Sequence, residues 1–459
     1  MTMIRSKPLA RQRPWSPLPL LLALFLCACG GGGGGGGDDA PVQPSPPEYL
    51  RSSAERNLSP QVTPAAMETL VSGNTAFALN LHQTLRKTSG NLFFSPYSIS
   101  GTLATLFAGA RGETRQEMAE ALSFHLPDEL LHPAVNALDL TLAGREGSEG
   151  DTATGFRLRL ANAIWLGTGT PVLDTYLDTL ARHYGAGAWR LDFQNGPDAA
   201  RDHINAWVEE TTEGRIGALL PPGTITPQTR LVTTNAIYFR AAWETPFDPD
   251  ITEPGPFYPT GADPAEGALT VPFMHHKERF GYTSGEGFQA VELLYEGELL
   301  SMVILLPEAG GLEDFENQLT EGFLSAILAD LTPRIIRLAF PRFELTPTPL
   351  SLSDALMRMG MSTVFTSAAD LSGIDGTGDL ALSEVVHQAY LAVDETGTEA
   401  AAGTGGIVGP SNPGAPFAEV IVDRPFLVLI RDIPTESILF FGRIESPETQ
   451  PSNTVVVRR

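Results

Sequence analysis

The stretch from Val393 to Thr404 constrains the fold of this chain most strongly, because it is built mainly from small residues. It follows a strongly patterned apolar segment and contains no Lys, Arg or aromatic residue. At strand period, one face carries only small side chains, those of Thr398, Ala400, Ala402 and Thr404. From the residues alone, the stretch can serve as a Gly/Ala surface linker or as a strand that fits a packed sheet.

The rest of the chain predicts an α+β fold with large mixed, mainly antiparallel sheets and surrounding helices. Ser95–Pro96 is a helix start with proline in the first turn. Thr114 is expected to cap the next helix, with Glu117 at capping-box distance. The strongest strand patterns lie at Phe156 to Leu166, Leu231 to Phe239, Val271 to Tyr282, Ala381 to Val393 and Ile438 to Ile444.

Residues 1–28 have the composition of a lipoprotein signal peptide, with a basic start and an apolar run, Leu18 to Leu26, that is short for a membrane span. The run ends in Leu-Cys-Ala-Cys, which resembles a bacterial lipobox and makes Cys29 the residue that carries lipid. An ordinary secretory signal is the alternative. Gly30 after Cys29 suits an outer membrane in a Gram-negative source, so we expect an exported protein anchored to a bacterial membrane.

The expected domain organisation follows from composition. Residues 29–64 are rich in Gly, Pro, Ser and acid and are expected to form a lipid-anchored, poorly ordered linker. One folded domain is expected over residues 65–447, followed by a C-terminal tail over 448–459.

Charge and motif content narrow the function. The formal net charge is −24, which disfavours nucleic acid and other polyanions as partners. The sequence has no zinc-protease motif, no Cys-x-x-Cys pair and no Gly-x-Ser-x-Gly elbow. His275 and His276 lack a ligand-spaced partner and are expected to be ordinary strand or loop residues. We therefore expect no catalytic residue, no metal site and no cofactor.

Several motifs in sequence order resemble those of the serpin family, over roughly residues 66–447. Glu395 to Gly403, Glu-Thr-Gly-Thr-Glu-Ala-Ala-Ala-Gly, is similar to the hinge of an inhibitory serpin. The supporting motifs are Asn91 to Ile99, Gly109 to Thr114, Thr234 to Phe239, Trp243 to Phe247, Arg424 to Ile430 and Phe440 to Arg443.

The resemblance implies a serpin-like fold with an exposed reactive loop at about residues 395–423. It also implies a monomeric serine-protease inhibitor that acts as a suicide substrate rather than as an enzyme. The protease would form an acyl-enzyme on the loop, and the hinge would then insert as a new strand and leave the partner covalently trapped. The alternatives are a non-inhibitory surface lipoprotein that is cleaved as a substrate, and an inhibitor of a cysteine protease.

The resemblance also implies roles for individual residues by motif position. The hinge comprises Glu395, Gly397, Thr398, Ala400, Ala401, Ala402 and Gly403. The shutter cluster, which would hold the main sheet closed, comprises Ser95, Ser98, Asn235 and His387. Within the shutter cluster, His387 would bond to Asn235. Trp243 corresponds to the breach, where the hinge first enters the sheet.

The reactive bond follows from counting along the loop. Counting forward from the hinge gives Ser411–Asn412, whereas counting back from the closing strand gives Gly414, so the candidates span Val408 to Gly414. The loop contains no Lys or Arg, which a trypsin-like protease would need in its carboxylate-lined pocket. Its small side chains favour an elastase-like or subtilisin-like target.

Overall fold

The computed structural model describes residues 44–145, 156–259, 267–345, 348–398 and 417–447. Its helices are α1 (Pro64–Leu85), α2 (Pro96–Phe107), α3 (Gly112–Ala121), α4 (Asp128–Ala143), α5 (Asp174–Tyr184), α6 (Pro197–Thr211), α7 (Leu312–Gln318), α8 (Glu321–Ala329), α9 (Ser353–Arg358) and α10 (Ser372–Asp375). Within these described ranges, no helix has both the length and the apolar character that crossing a bilayer requires.

The first two helices begin where local chemistry favours a start. The Thr63 hydroxyl accepts a hydrogen bond from the Ala66 N–H at 3.2 Å, and the Ser95 hydroxyl accepts one from the Ser98 N–H at 3.1 Å. A proline follows each cap at the first helical position, where its missing N–H costs nothing. The predicted helix start at Ser95–Pro96 is therefore confirmed.

The third helix differs from its prediction. It begins at Gly112, and Thr114 lies inside it, where its hydroxyl accepts a hydrogen bond from the Asp370 N–H at 2.9 Å. The Glu117 carboxylate accepts from the N–H groups of Ser362 and Thr363 at 2.9 and 2.7 Å. Thr114 is not a cap, because both side chains bond to a segment that is distant in sequence.

One sheet, here called the main sheet, has eight strands among the described residues. In spatial order they are β1 (Glu48–Leu50), β4 (Ala188–Leu191), β3 (Arg157–Gly167), β5 (Leu231–Ala242), β14 (Gly397–Thr398), β13 (Leu382–Val393) and β11 (Phe343–Leu345), with β12 (Leu350–Ser351) also paired to β13. The pairs β3–β4 and β5–β13 are parallel, and the other pairs are antiparallel.

The second sheet has nine strands in the described part of the chain. In spatial order they are β15 (Ala418–Ile421), β10 (Thr332–Pro341), β7 (Leu269–Gly285), β8 (Phe288–Leu294), β9 (Leu300–Pro307), β16 (Phe426–Asp432), β17 (Ser437–Ile444) and β2 (Leu92–Phe94), with β6 (Glu253–Phe257) paired to β7. Only the pair β10–β15 is parallel among these. The predicted α+β class with mainly antiparallel sheets is confirmed.

The two sheets share one core. Strands β9 and β17 are buried along their whole length, and most of their residues are apolar. Helix α2 contacts β5 in the main sheet and β17 in the second sheet. The rings of Phe239 on β5 and Phe440 on β17 lie 5.5 Å apart, so side chains of the two sheets meet directly. The contacts of α2 with β5 place this helix beneath the part of the main sheet that carries the candidate site.

The predicted linker over residues 29–64 is wrong in its final part. Residues 48–50 form the edge strand β1, which pairs antiparallel with β4, and the Tyr49 ring lies 4.7 Å from the ring of Trp189. The Arg190 guanidinium lies 3.2 Å from the Glu48 carboxylate. Composition suggested disorder because the segment has few apolar residues, but its order comes from partners about 140 positions away in sequence.

Candidate functional site

The main sheet is open at one end, and the hinge begins inside that opening. Strands β5 and β13 pair in parallel as far as Tyr238 and Tyr390. Beyond that point β14 lies between them, with Gly397 opposite Ala242 on β5 and Thr398 opposite Val393 on β13. Two of the predicted hinge residues therefore already occupy a strand position.

Glycine is the only residue type that fits at position 397 in this arrangement. A Cβ atom there would lie 2.2 Å from the carbonyl oxygen of Ala241 and 2.7 Å from the Cα of Ala242. Both are backbone atoms of β5, so no side chain can move aside to make room. The small size of this hinge residue is thus required by close approach of two backbones.

A tight turn leads the chain from β13 back into β14. The Asp394 carboxylate accepts hydrogen bonds from the N–H and hydroxyl of Thr396 at 2.8 and 2.6 Å, and from the Gly397 N–H at 3.1 Å. The following carboxylate, that of Glu395, is buried and accepts from the Thr252 hydroxyl at 2.8 Å. These bonds stabilise the turn at the start of the hinge.

The Trp243 side chain closes over this turn, at the position predicted for the breach. Its indole N–H donates to the Asp394 carbonyl at 3.0 Å, and its ring stacks on Tyr295 with 4.7 Å between centroids. The Tyr295 hydroxyl lies 2.7 Å from the Thr398 hydroxyl, and burial raises the pKa of Tyr295, which keeps the phenol neutral. A charged side chain at position 398 would lose this bond and face a fully buried site.

The four predicted shutter residues come together beneath the main sheet. The His387 Nδ1 atom bonds to the Asn235 side-chain oxygen at 2.5 Å, across the β5–β13 pair. The Ser95 N–H donates to His387 Nε2 at 3.1 Å, and the Asn235 amide nitrogen lies 2.7 Å from the Ser98 hydroxyl. These contacts join β5 and β13 to the N-terminal part of α2.

Two of these contacts determine the protonation of His387. Because Nε2 accepts from a backbone N–H, the ring proton resides on Nδ1 and is donated to Asn235. Complete burial lowers the pKa of His387 to about 3, so the imidazole is neutral at physiological pH.

The sequence predictions missed three residues of the site. Asn162 on β3 and Thr102 on α2 each lie 2.7 Å from the Asn235 amide nitrogen and complete the shutter cluster. Tyr295 completes the breach. A polar residue inside the apolar pattern of β3 was the available signal for Asn162, whereas Tyr295 lies in the short connection between β8 and β9 and carried no periodic signal.

The predicted exposed loop over residues 395–423 is too long at both ends. Gly397 and Thr398 are buried in the sheet opening, Glu395 is buried in the turn ahead of them, and residues 418–421 form strand β15. The remaining predictions, for Ala400, Ala401, Ala402, Gly403, Ser411, Asn412 and Cys29, concern positions that lie outside the described residues.

The rest of the described chain offers no metal centre of the usual kind. Within the described ranges, no group of three or more His, Cys, Asp or Glu side chains is placed to hold a metal ion. His275 and His276 both lie in β7, and His276 Nε2 bonds to the Pro246 carbonyl at 3.1 Å.

The fold and the site define a class of protein, namely an α+β molecule whose main sheet contains the first residues of the hinge, Gly397 and Thr398, between two of its strands. Comparison with known families gives the class its name. The model described as "Serpin (serine protease inhibitor)" matches residues 72–447, and the chain belongs to the serpin family. The resemblance seen in the sequence motifs is confirmed, and the family supports protease inhibition in general terms.

Relatives and solved structures agree with this assignment. The chain is 38% identical over 393 residues to leukocyte elastase inhibitor A of Mus musculus, covering 83% of this chain and 100% of the relative. It is 37% identical to a serpin-like protein of Thermococcus kodakarensis, covering 83% and 86% of the two chains. Uncleaved ovalbumin has a TM-score of 0.72 at 27% identity, covering 83% of this chain and all of ovalbumin. Human thyroxine-binding globulin has a TM-score of 0.74 at 28% identity, covering 84% of this chain and 100% of that chain.

Proposed function

We propose that this protein is a suicide-substrate inhibitor of elastase-like or subtilisin-like serine proteases. The observation that carries the proposal is the position of Gly397 and Thr398, which lie between β5 and β13 as the beginning of an inserted strand. The similarity to leukocyte elastase inhibitors supports the same target class.

The proposed reaction uses the chemistry of the protease. Its serine oxygen attacks the scissile carbonyl, the peptide C–N bond breaks, and the new amine departs on the side that leads to β15. The hinge side stays bonded to the protease as an ester. If the protease is pulled away before water attacks, distortion of its active site slows deacylation by orders of magnitude.

The residues of this chain would supply the movement. Insertion continues from Thr398 between β5 and β13. These two strands must therefore separate from each other, starting at the Tyr238–Tyr390 pair. The separation breaks the His387–Asn235 bond and replaces one parallel pairing with two antiparallel pairings, which are slightly more stable for each residue. The shutter cluster would delay this step until the loop is cut.

The anchoring at a bacterial surface is part of the same proposal. Lipidation at Cys29 would hold the inhibitor at a membrane, with an outer membrane as the preferred location. The support is in the sequence, since Cys27 and Cys29 are the only cysteines and a run of glycines follows. A tethered monomer would meet proteases outside the cell. Incorporation of labelled palmitate into the wild-type chain but not into Cys29→Ser would test the anchor, and equal labelling would contradict it.

The test of inhibition is to mix the purified protein with pancreatic elastase, subtilisin, chymotrypsin and trypsin and to analyse the products on denaturing gels with mass spectrometry. We expect a denaturant-stable complex with elastase or subtilisin and none with trypsin. Mass analysis of the released C-terminal fragment would locate the cut between Val408 and Gly414. Cleavage there by every active protease, without any complex, would refute trapping of these targets and favour a substrate-like protein; a complex with papain instead would favour a cysteine protease as the target.

A further inference from the structure

The segment of residues 44–57, here called the strap, lies ahead of the region that matches the family. It runs along the edge of the main sheet and continues onto α5 and α4. We propose that the strap acts as a brake on opening of the main sheet. The inference rests on the proposed insertion of the hinge and identifies a part of this chain that regulates it.

The first attachment of the strap is to the sheet edge. β1 pairs with three of the four residues of β4: Glu48, Tyr49 and Leu50 lie opposite Arg190, Trp189 and Ala188. Ahead of β1, the Ser45 N–H donates to the Asp192 carboxylate at 3.0 Å. The strap thus covers the edge of a strand that belongs to the β5 side of the opening.

The second attachment is to the helices. The Ser52 hydroxyl donates to the Asp178 carboxylate on α5, and the Asn57 N–H donates to the Arg182 carbonyl at 2.9 Å. The Arg56 guanidinium donates to the Asn136 side-chain oxygen at 2.8 Å and also pairs with Asp139, both on α4.

Asp139 connects the strap to α2, the helix that bonds to both sides of the opening. Its carboxylate also accepts a hydrogen bond from the Tyr97 hydroxyl on α2 at 2.7 Å. At the start of α2, the Ser95 N–H donates to His387 on β13 at 3.1 Å. The strap therefore closes a chain of contacts that runs from β4, through α4 and α2, to β13.

This closed chain is what would resist opening. A new strand between β5 and β13 must widen the sheet by about 4.8 Å, the usual spacing of neighbouring strands. The contacts of Arg56, Tyr97 and Ser95 cannot all persist while β4 moves away from β13 by that distance. Loss of the strap should therefore lower the barrier to insertion.

Gly187 offers a specific way to release the strap within the intact protein. A Cβ atom at this position would lie 2.0 Å from the carbonyl oxygen of Leu50, so Gly187→Ala should push β1 away from β4. Gly322→Ala is the matched control, since a Cβ atom at position 322 on α8 meets nothing within 4 Å. Arg56→Met provides a second release at the other attachment.

The readout is uptake of a synthetic peptide with the sequence of residues 397–411, followed by native gel and by the rise in melting temperature. This assay needs no protease. We expect Gly187→Ala and Arg56→Met to take up the peptide about tenfold faster than the wild type, as a loss of about 1.4 kcal/mol from the barrier would give. Gly322→Ala should behave as the wild type does.

A purely structural role of the strap would give a different result. Leu324→Ala, in a buried position on α8, supplies a variant that is destabilised away from the main sheet. If it accelerates uptake as much as Gly187→Ala does, general destabilisation explains the effect and the brake is refuted. Equal uptake by the wild type and both strap variants also refutes the brake, whereas uptake by none of the proteins refutes hinge insertion itself and the brake with it.

Discussion

Replacement of Gly397 by alanine tests the central geometry of the site. The added Cβ would lie 2.2 Å from the Ala241 carbonyl oxygen, about 1 Å inside the closest ordinary contact. Relief requires β14 to leave the sheet. Three hydrogen bonds then break: Asp394 N–H to the Gly397 carbonyl at 2.9 Å, Trp243 N–H to the Thr396 carbonyl at 3.0 Å, and the bond between Tyr295 and Thr398 at 2.7 Å.

The expected magnitude follows from these contacts. At about 1 kcal/mol for each hydrogen bond, expulsion of β14 costs at most about 3 kcal/mol, part of which water recovers. We expect the free energy of unfolding to fall by about 2 kcal/mol. An inserting hinge would meet the same Ala241 carbonyl, so a similar increase in the insertion barrier would slow trapping about 30-fold.

Two assays check this prediction. Urea unfolding measures the loss of stability, and denaturing gels after reaction with elastase or subtilisin measure the ratio of trapped complex to cleaved inhibitor. Gly322→Ala, with open space around the added methyl, should match the wild type in both. Unchanged stability together with an unchanged ratio in Gly397→Ala would refute the packing argument and the entry of the hinge at this position.

Three further predictions concern the buried polar groups. Since burial lowers the pKa of His387 to about 3 and an unfolded histidine titrates near 6.5, the contribution of the neutral ring is complete above pH 6.5 and declines as the pH falls towards 3. The His387 ring should therefore account for about 2 kcal/mol of the stability that urea unfolding shows to be lost between pH 7 and pH 5, in addition to the loss from His132, and His387→Gln should lack the His387 part. Asn235→Ala leaves His387 Nδ1–H without its acceptor, so it should cost about 2 kcal/mol of stability in the same assay and accelerate uptake of the 397–411 peptide; unchanged uptake would contradict the shutter role. Glu316→Gln removes a buried carboxylate that lies 2.9 Å from His82 Nε2 and 3.7 Å from Arg443, and thermal unfolding should show a loss of about 3 kcal/mol, with an unaltered melting temperature counting against the pairing.

Much of the fold was predictable because local chemistry and long-range packing agree. The cap and proline at Ser95–Pro96 start α2 where the sequence indicates, and the apolar run to Val393 forms β13 almost to the residue. Thr114 and Glu117 show the limit of such patterns, since their spacing suits a capping box but both side chains bond to residues 362–370. Spacing within one segment cannot show which distant backbone will compete for a side chain.

The residue types of the site were predictable from the sequence, but whether the hinge residues lie in a loop or in the sheet was not. Small residues around Gly397 tolerate both water and a packed sheet, so this stretch alone favours a surface linker, and only the serpin-like motifs elsewhere in the chain favour a strand. The structure seats Gly397 and Thr398 in the sheet because the Asp394 turn and the Trp243 ring hold them there. Tyr295 was not predicted, because it lies in a connection between two strands, where no alternating pattern indicates which way a side chain points.

The strap also gives the domain a mechanical property. Any tension on the chain ahead of residue 44 reaches the folded body first at the Ser45–Asp192 hydrogen bond and then at β1. A pull directed along this strand loads its three pairs with β4 together, whereas a pull directed away from the sheet peels them in turn, from Glu48 to Leu50. Beyond β1, the Arg56 contacts would take up the remaining load. The resistance of the domain to a pulling force and the barrier to insertion of a strand into the main sheet would then depend on the same few contacts.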